Sequence, residues 1–143
     1  MRNRTFATLG TLALFAAASA FGQQKLRVDI PFEFHFADVV MPAGQYDVDT
    51  QARNVLNLLS FDCYDCRVHA IAVPYAIGGG KDAPIEGRLV FDKLGDTYFF
   101  AEVWVPGHPQ GMALSKSKTE RELARVTLPA RSSQVILASR SFR

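Results

Sequence analysis

An all-β domain, a single β-sandwich or small barrel of about seven to eight strands with one short helix in its C-terminal half, is the fold this sequence predicts. Three observations carry the prediction. Between Leu26 and Phe36, apolar Leu26, Val28, Ile30, Phe32, Phe34 and Phe36 alternate with Arg27, Asp29, Pro31, Glu33 and His35, which is the period of a strand with one dry face. Turn residues then recur at near-even spacing, so the strands between them are short. Helix signals gather in one place only, from Thr119 to about Val126.

The first strand runs from about Leu26 to Phe36 and is closed by Met41-Pro42-Ala43-Gly44, where proline presets φ and glycine eases the exit. Gln45 to Thr50 follows as a half-exposed strand with Tyr46 and Val48 on one face and Asp47 and Asp49 on the other. Asn54 to Phe61 and Arg67 to Ala76 read as strands apolar on both faces, although Pro74 demands an edge or a bulge. Asp62 to Cys66 between them is the strongest hairpin signal. Past the connector Ile77 to Pro84, Arg88 to Lys93 and Thr97 to Val105 form a pair about the Leu94-Gly95-Asp96 turn. Thr119-Glu120-Arg121-Glu122 fits a capping box, in which the Thr119 hydroxyl accepts from the Glu122 N–H and the Glu122 carboxylate accepts in return. Pro129 stops that helix, and Gln134 to Ser139 makes the last strand.

Residues 1–22 read as a signal peptide: Arg2 and Arg4 form a basic start, Phe6 to Ala18 an uncharged apolar run, and cleavage is expected after Ala20 or Gly22. The apolar run is shorter than the ~20 residues of a membrane span, and no cysteine lies nearby to take a lipid. Residues 23–143 are then one periplasmic or extracellular β domain, with no membrane span and no lipoprotein anchor. The whole chain carries a net charge of +2, but Arg2 and Arg4 leave with the leader, and the remaining bases balance the 14 acids. A neutral mature domain supplies no electrostatic footprint for nucleic acid.

Few residues carry chemistry. Cys63-Tyr64-Asp65-Cys66 has the spacing of a redox pair, a metal half-site or a haem attachment. Haem would need histidine where Arg67 stands, a thioredoxin-like pair would need a helix N-terminus, and zinc would need two ligands beyond the cysteines, of which only His69 is nearby. In an oxidising compartment, a disulfide between Cys63 and Cys66 across a two-residue Tyr64-Asp65 turn is the favoured reading, beside the redox and metal alternatives. Glu33 and His35 share a strand face and could join His69 around a metal; a solvated face is the plainer reading. Glu102 interrupts an apolar run; if it pointed inward it would need a partner such as Arg88, and a position exposed on a sheet face is the commoner reading. Gly78-Gly79-Gly80-Lys81 lacks the spacing of a phosphate loop, and no serine sits in a nucleophile elbow. No catalytic, cofactor or metal residue is assigned, and no cofactor is expected.

Four segments, Asp29-Ile-Pro-Phe-Glu-Phe-His-Phe36, Met41-Pro-Ala-Gly-Gln-Tyr46, Gly95-Asp-Thr-Tyr-Phe-Phe-Ala-Glu-Val-Trp104 and Leu114-Ser-Lys-Ser-Lys-Thr-Glu-Arg-Glu-Leu-Ala124, together resemble a group of small exported bacterial β-rich proteins of uncharacterised function. The resemblance implies export and the β fold across nearly the whole mature chain. It carries over no catalytic residues, and the cysteine pair lies outside its pattern.

The expected function is therefore that of an exported, non-catalytic β domain acting as a binding or structural module on a protein or surface partner. A carrier enclosing an apolar ligand in a Phe-lined barrel is the alternative, and a hydrolase or metal-dependent enzyme the third. Strand edges near Pro31 and Pro74 offer unpaired ladder groups for self-association.

Overall fold

Proline 31 cuts the long opening alternation in two. The computed structural model describes residues 25–51, 58–79 and 82–142, so the expected leader lies outside the described residues, as does the stretch 52–57 expected to open a strand. In place of one strand stand β1 (Lys25–Ile30) and β2 (Phe34–Phe36), which belong to different sheets. Next come β3 (Val39–Met41), β4 (Gly44–Asp49), β5 (Leu59–Cys63), β6 (His69–Ala72), β7 (Tyr75–Gly78), β8 (Gly87–Leu94), β9 (Thr97–Trp104), β10 (Gln110–Ala113), helix α1 (Lys118–Val126) and β11 (Ser132–Phe142). Eleven described strands exceed the expected seven or eight because Pro31 and Pro74 each divide a run that reads as continuous, and because β3 and β10 form in segments that read as turn and loop.

The first sheet is antiparallel, in the order β1-β4-β5-β6. The second runs β3-β2-β9-β8, and β10, carrying β7, takes the second half of the β9 edge whose first half is held by β2. Strand β11 joins the two sheets: Ser132 to Ser139 pair with β8, while Arg140 to Phe142 pair with β1. The strand path ends in open edges at β3 and β6, so the architecture is a sandwich with one continuous corner and not a closed barrel.

Each of the three connections that move the chain between the sheets contains a proline: Pro31 between β1 and β2, Pro42 between β3 and β4, and Pro74 between β6 and β7. Proline has no N–H for a ladder and holds φ near −65°, so it ends pairing where the chain must leave a sheet. Pro74 thus sits between two edge strands, as expected. Pro31 does not mark an edge, because β1 is paired on one side with β4 and on the other with β11.

Between the sheets, Phe34, Phe36, Phe91 and Phe100 from one layer meet Tyr46 and Phe61 from the other, all essentially buried. Phe61 is central, with ring centroids 4.6 Å from Phe36, 4.9 Å from Phe100 and 5.8 Å from Phe34. Phe34 makes edge contacts with Tyr46 at 5.3 Å and with Phe91 at 5.3 Å. Such edge and tilted pairings are the favourable arrangements of ring quadrupoles. Burial pushes the Tyr46 hydroxyl up to about 12, and that hydroxyl donates to the Pro42 carbonyl, tying the turn of the Met41–Tyr46 segment to its own strand.

A bulge adjusts the outer layer. Val90 pairs with Glu102 and Phe91 with Phe100, leaving Ala101 as the extra residue on β9. Phe100 therefore faces the core, while Phe99 faces out beside His35, whose ring stacks on it at 4.8 Å.

Helix α1 lies on that outer face, and its cap differs from expectation. Ser117, not Thr119, is the N-cap: its Oγ accepts from the Glu120 N–H at 3.1 Å, and the Glu120 carboxyl takes a hydrogen bond from the Ser117 N–H. The sequence contains two overlapping frames, Ser117 with Glu120 and Thr119 with Glu122. The first is the one formed, with Glu120 buried and Leu123 half-buried; Glu122 is exposed, 3.8 Å from Lys118.

Candidate functional site

The residues that could carry chemistry are distributed over four separate places. At the tip of the β5–β6 hairpin, Cys63 and Cys66 face each other with Cα atoms 5.5 Å apart, within disulfide reach. The loop is longer than the two-residue turn expected: Asp62 pairs with His69, the Cys63 N–H donates to the Val68 carbonyl at 2.9 Å, and Tyr64 to Arg67 form the loop. Arg67 closes it at φ 54°, a left-handed conformation that lets the chain re-enter the ladder. The pair packs on β4, where a side chain at Gly44 would stand 3.4 Å from the Cys63 sulfur, and the Tyr46 hydroxyl lies 4.0 Å from that of Cys66. Reducing the pair in the folded protein is expected to cost about 2 kcal/mol by the loop-entropy relation, read as a shift of the urea midpoint with and without reductant. An unchanged midpoint would mean that the loop is held by its backbone bonds alone.

On the outer face of the first sheet, charges form a cross-strand row. Arg27 on β1 pairs with Asp47 on β4 through Nε at 2.9 Å and Nη2 at 3.3 Å, and Asp62 on β5 bonds the Nδ1 of His69 on β6. Asp47 and Asp62 are direct neighbours in register, so each like charge has a base on its far side. Both pairs are solvent-accessible, so water screens them and they add little to stability.

On the outer face of the second sheet, Trp104 is seated against β7 and β10. The Arg88 guanidinium lies 4.9 Å from its ring centre, and its Nε1 donates to the Glu102 carboxylate at 2.9 Å. Glycines on the two neighbouring strands make room for the indole: a Cβ on Gly111 would come within 2.7 Å of the ring, and one on Gly78 within 2.9 Å. Glu102 is thus neither inward-facing nor paired with Arg88; Arg88 is opposite Trp104 in register, and the acid is taken by the indole N–H two residues along its own strand.

The fourth place is the contact between α1 and β8. Glu120 is 5% exposed, the one buried residue of the helix, and Asp92 on β8 is near enough to act on its carboxyl group. Burial, reinforced by the Asp92 charge, pushes Glu120 up to about 7. Beyond it, Leu94, Thr97, Leu123, Val126, Leu128 and Arg131 line a groove of about 460 Å³ at the C-terminal end of the helix.

The structure does not bring the proposed metal ligands together. Glu33 is exposed between β1 and β2, His35 lies on the second sheet and His69 on the first, and among the described residues no three metal-ligating side chains converge. His108 is in the β9–β10 loop. Gly78 belongs to β7, whereas Gly80 and Lys81 lie outside the described residues. Among the described residues no helix is long and apolar enough to cross a membrane. Compared with protein-family models, curated proteins and solved structures, the chain matches none.

Sequence reasoning missed the Trp104 seat and the Glu120–Asp92 contact. The first had a faint signal in glycines flanking two short strand runs. The second was open to detection in the Ser117 frame, which puts Glu120 and Leu123 three apart on one helix face.

Proposed function

We propose that this chain is an exported, non-catalytic β domain that works through surface contact, as a binding or structural module on a protein or surface partner. The observation supporting this reading is the separation of its reactive side chains from one another and from an interior in which aromatic rings of both sheets touch. A catalytic site needs an acid, base or nucleophile converging on one reacting atom, and a carrier needs a cavity on the order of 300 Å³ or more to enclose its ligand. Export of residues 23–143 after loss of the leader, with Cys63 and Cys66 oxidised, belongs to the same reading.

The test is the intact mass of protein recovered from the periplasm or medium of its source, under native and then denaturing conditions. A polypeptide beginning at Phe21 or Gln23, two mass units lighter than its reduced form and free of bound small molecule, is the expected result. A retained apolar ligand would favour the carrier, and an unprocessed cytosolic chain would remove export. Alanine in place of Glu33, His35 or His69 is expected to change stability by no more than about 1 kcal/mol.

A further inference from the structure

Strand β6 is the outermost strand of the first sheet, and among the described residues it pairs with β5 alone. One hydrogen bond fixes which of its main-chain groups face β5. Cys63 and Val68 stand opposite each other in the same register as Asp62 and His69, and the Cys63 N–H donates to the Val68 carbonyl at 2.9 Å. Hydrogen-bonded and non-hydrogen-bonded pairs alternate along an antiparallel ladder. Phe61 with Ala70 and Leu59 with Ala72 are therefore the hydrogen-bonded pairs, and Asp62 with His69 and Ser60 with Ile71 the others. Ala70 and Ala72 direct their N–H and C=O toward β5, while His69 and Ile71 direct theirs to the open edge. The bond between the Asp62 carboxylate and His69 Nδ1 agrees, because side chains of a non-hydrogen-bonded pair stand closest.

Little in this segment keeps the edge single. Natural sheets blunt their edges with charged side chains, bulges or very short strands. From Val68 to Gly80 the sequence contains no Lys, Arg, Asp or Glu, and β6 follows β5 without a bulge. Pro74 lies beyond the end of β6 and interrupts nothing within it. At the other end of the strand path, β3 is only three residues long and lies between Asp38 and Pro42.

We propose that the β6 edge pairs with the β6 edge of a second copy of this chain, antiparallel about a two-fold axis at Ala70, so that the first sheets of two copies join into one. This rests on the surface-contact reading above and names the partner. The axis sets His69 opposite the partner's Ile71 and Ile71 opposite the partner's His69, so every outward N–H meets an outward C=O within β6 itself. At the axis, Ala70 faces the partner's Ala70 as a non-hydrogen-bonded pair, about 4.5 Å apart at Cα, a separation that small side chains fit. Charge is compatible with self-pairing: Asp62, the acid beside this edge, is bonded to His69 in each copy, and no like charges are brought face to face. Moving the axis one residue toward the loop would engage Arg67, whose φ of 54° takes it out of the ladder, and moving it the other way would rely on Val73, beyond the end of β6.

The experiment is residue-resolved amide hydrogen exchange of the mature protein at about 5 μM and about 500 μM, with the sedimentation mass measured at both. At the lower concentration Ala70 and Ala72 should be protected and His69 and Ile71 open. At the higher one the mass should move toward that of a dimer, and the His69 and Ile71 amides should gain at least about threefold in protection, the change given by a dissociation constant of about 100 μM. Ile71→Pro removes an outward N–H and no bond to β5, so it is expected to stay monomeric with Ala70 and Ala72 still protected. Should it fail to fold, His69→Pro makes the same test at the first residue of the strand. A monomeric mass at the higher concentration would overturn the pairing, and protected His69 and Ile71 amides in that monomer would place another segment of the same chain on the edge. A folded proline variant that associates as strongly as the natural chain would overturn it too. None of these outcomes touches the surface-contact reading, which fails instead on an apolar ligand retained by the recovered protein.

Discussion

Phe61→Ala is expected to remove about 4 kcal/mol of stability, the upper part of the range for a fully buried ring. The size follows from position. Phe61 has no exposed surface and sits where rings from both sheets converge, in contact with Phe34, Phe36, Tyr46 and Phe100. Those neighbours are held by different strands, β2, β4 and β9, so they cannot close together over the space without moving the sheets relative to each other. Truncation thus forfeits both the transfer free energy and the contacts around the void. Equilibrium urea unfolding should show a lower midpoint with an unchanged slope. A loss below about 1 kcal/mol would mean that this ring does not join the two layers.

Gly111→Ala is expected to cost about 2 kcal/mol despite adding a single methyl group, because overpacking in a rigid contact forces backbone movement. The added Cβ would lie 2.7, 2.8 and 2.9 Å from three atoms of the Trp104 indole. That ring cannot easily yield, since Arg88 covers it and Glu102 holds its Nε1. The diagnostic measurement is a double-mutant cycle with Trp104→Ala. Once the indole is gone the methyl group has room, so Gly111→Ala should add little in that background, giving a coupling of about 1 kcal/mol or more. Strictly additive losses would place the indole elsewhere.

Local chemistry made most strands legible. Alternation in Leu26 to Ile30 and in Tyr46 to Val48 identified buried faces correctly, and the Gly95-Asp96 turn sits where expected, with Gly95 at φ 63°. What the alternation could not convey is which sheet each strand joins. Leu26 through Phe36 keeps one period across Pro31, because both halves point their apolar residues into the same core from opposite layers. The cap was misplaced by two residues for a related reason: both Ser/Thr frames satisfy the helix terminus locally, and only burial on β8 distinguishes them. Contacts between residues far apart in sequence were invisible. Trp104 meets Gly78 and Gly111, and Glu120 meets Asp92, through strand pairings that no spacing rule supplies. Of the candidate site residues, the cysteines were placed close together correctly, though in a four-residue loop, and Glu102 found a neighbour on its own strand.

Strand β11 belongs to both layers, pairing with β8 along Ser132 to Ser139 and with β1 at Arg140 to Phe142. All ten other described strands precede it in the chain, and neither layer has its full set of neighbours until it docks. Closure between Arg27 and Arg140 spans most of the polypeptide, which makes zippering late and slow compared with hairpin formation. A chain that folds as it is made would thus hold both layers unfinished until β11 has emerged.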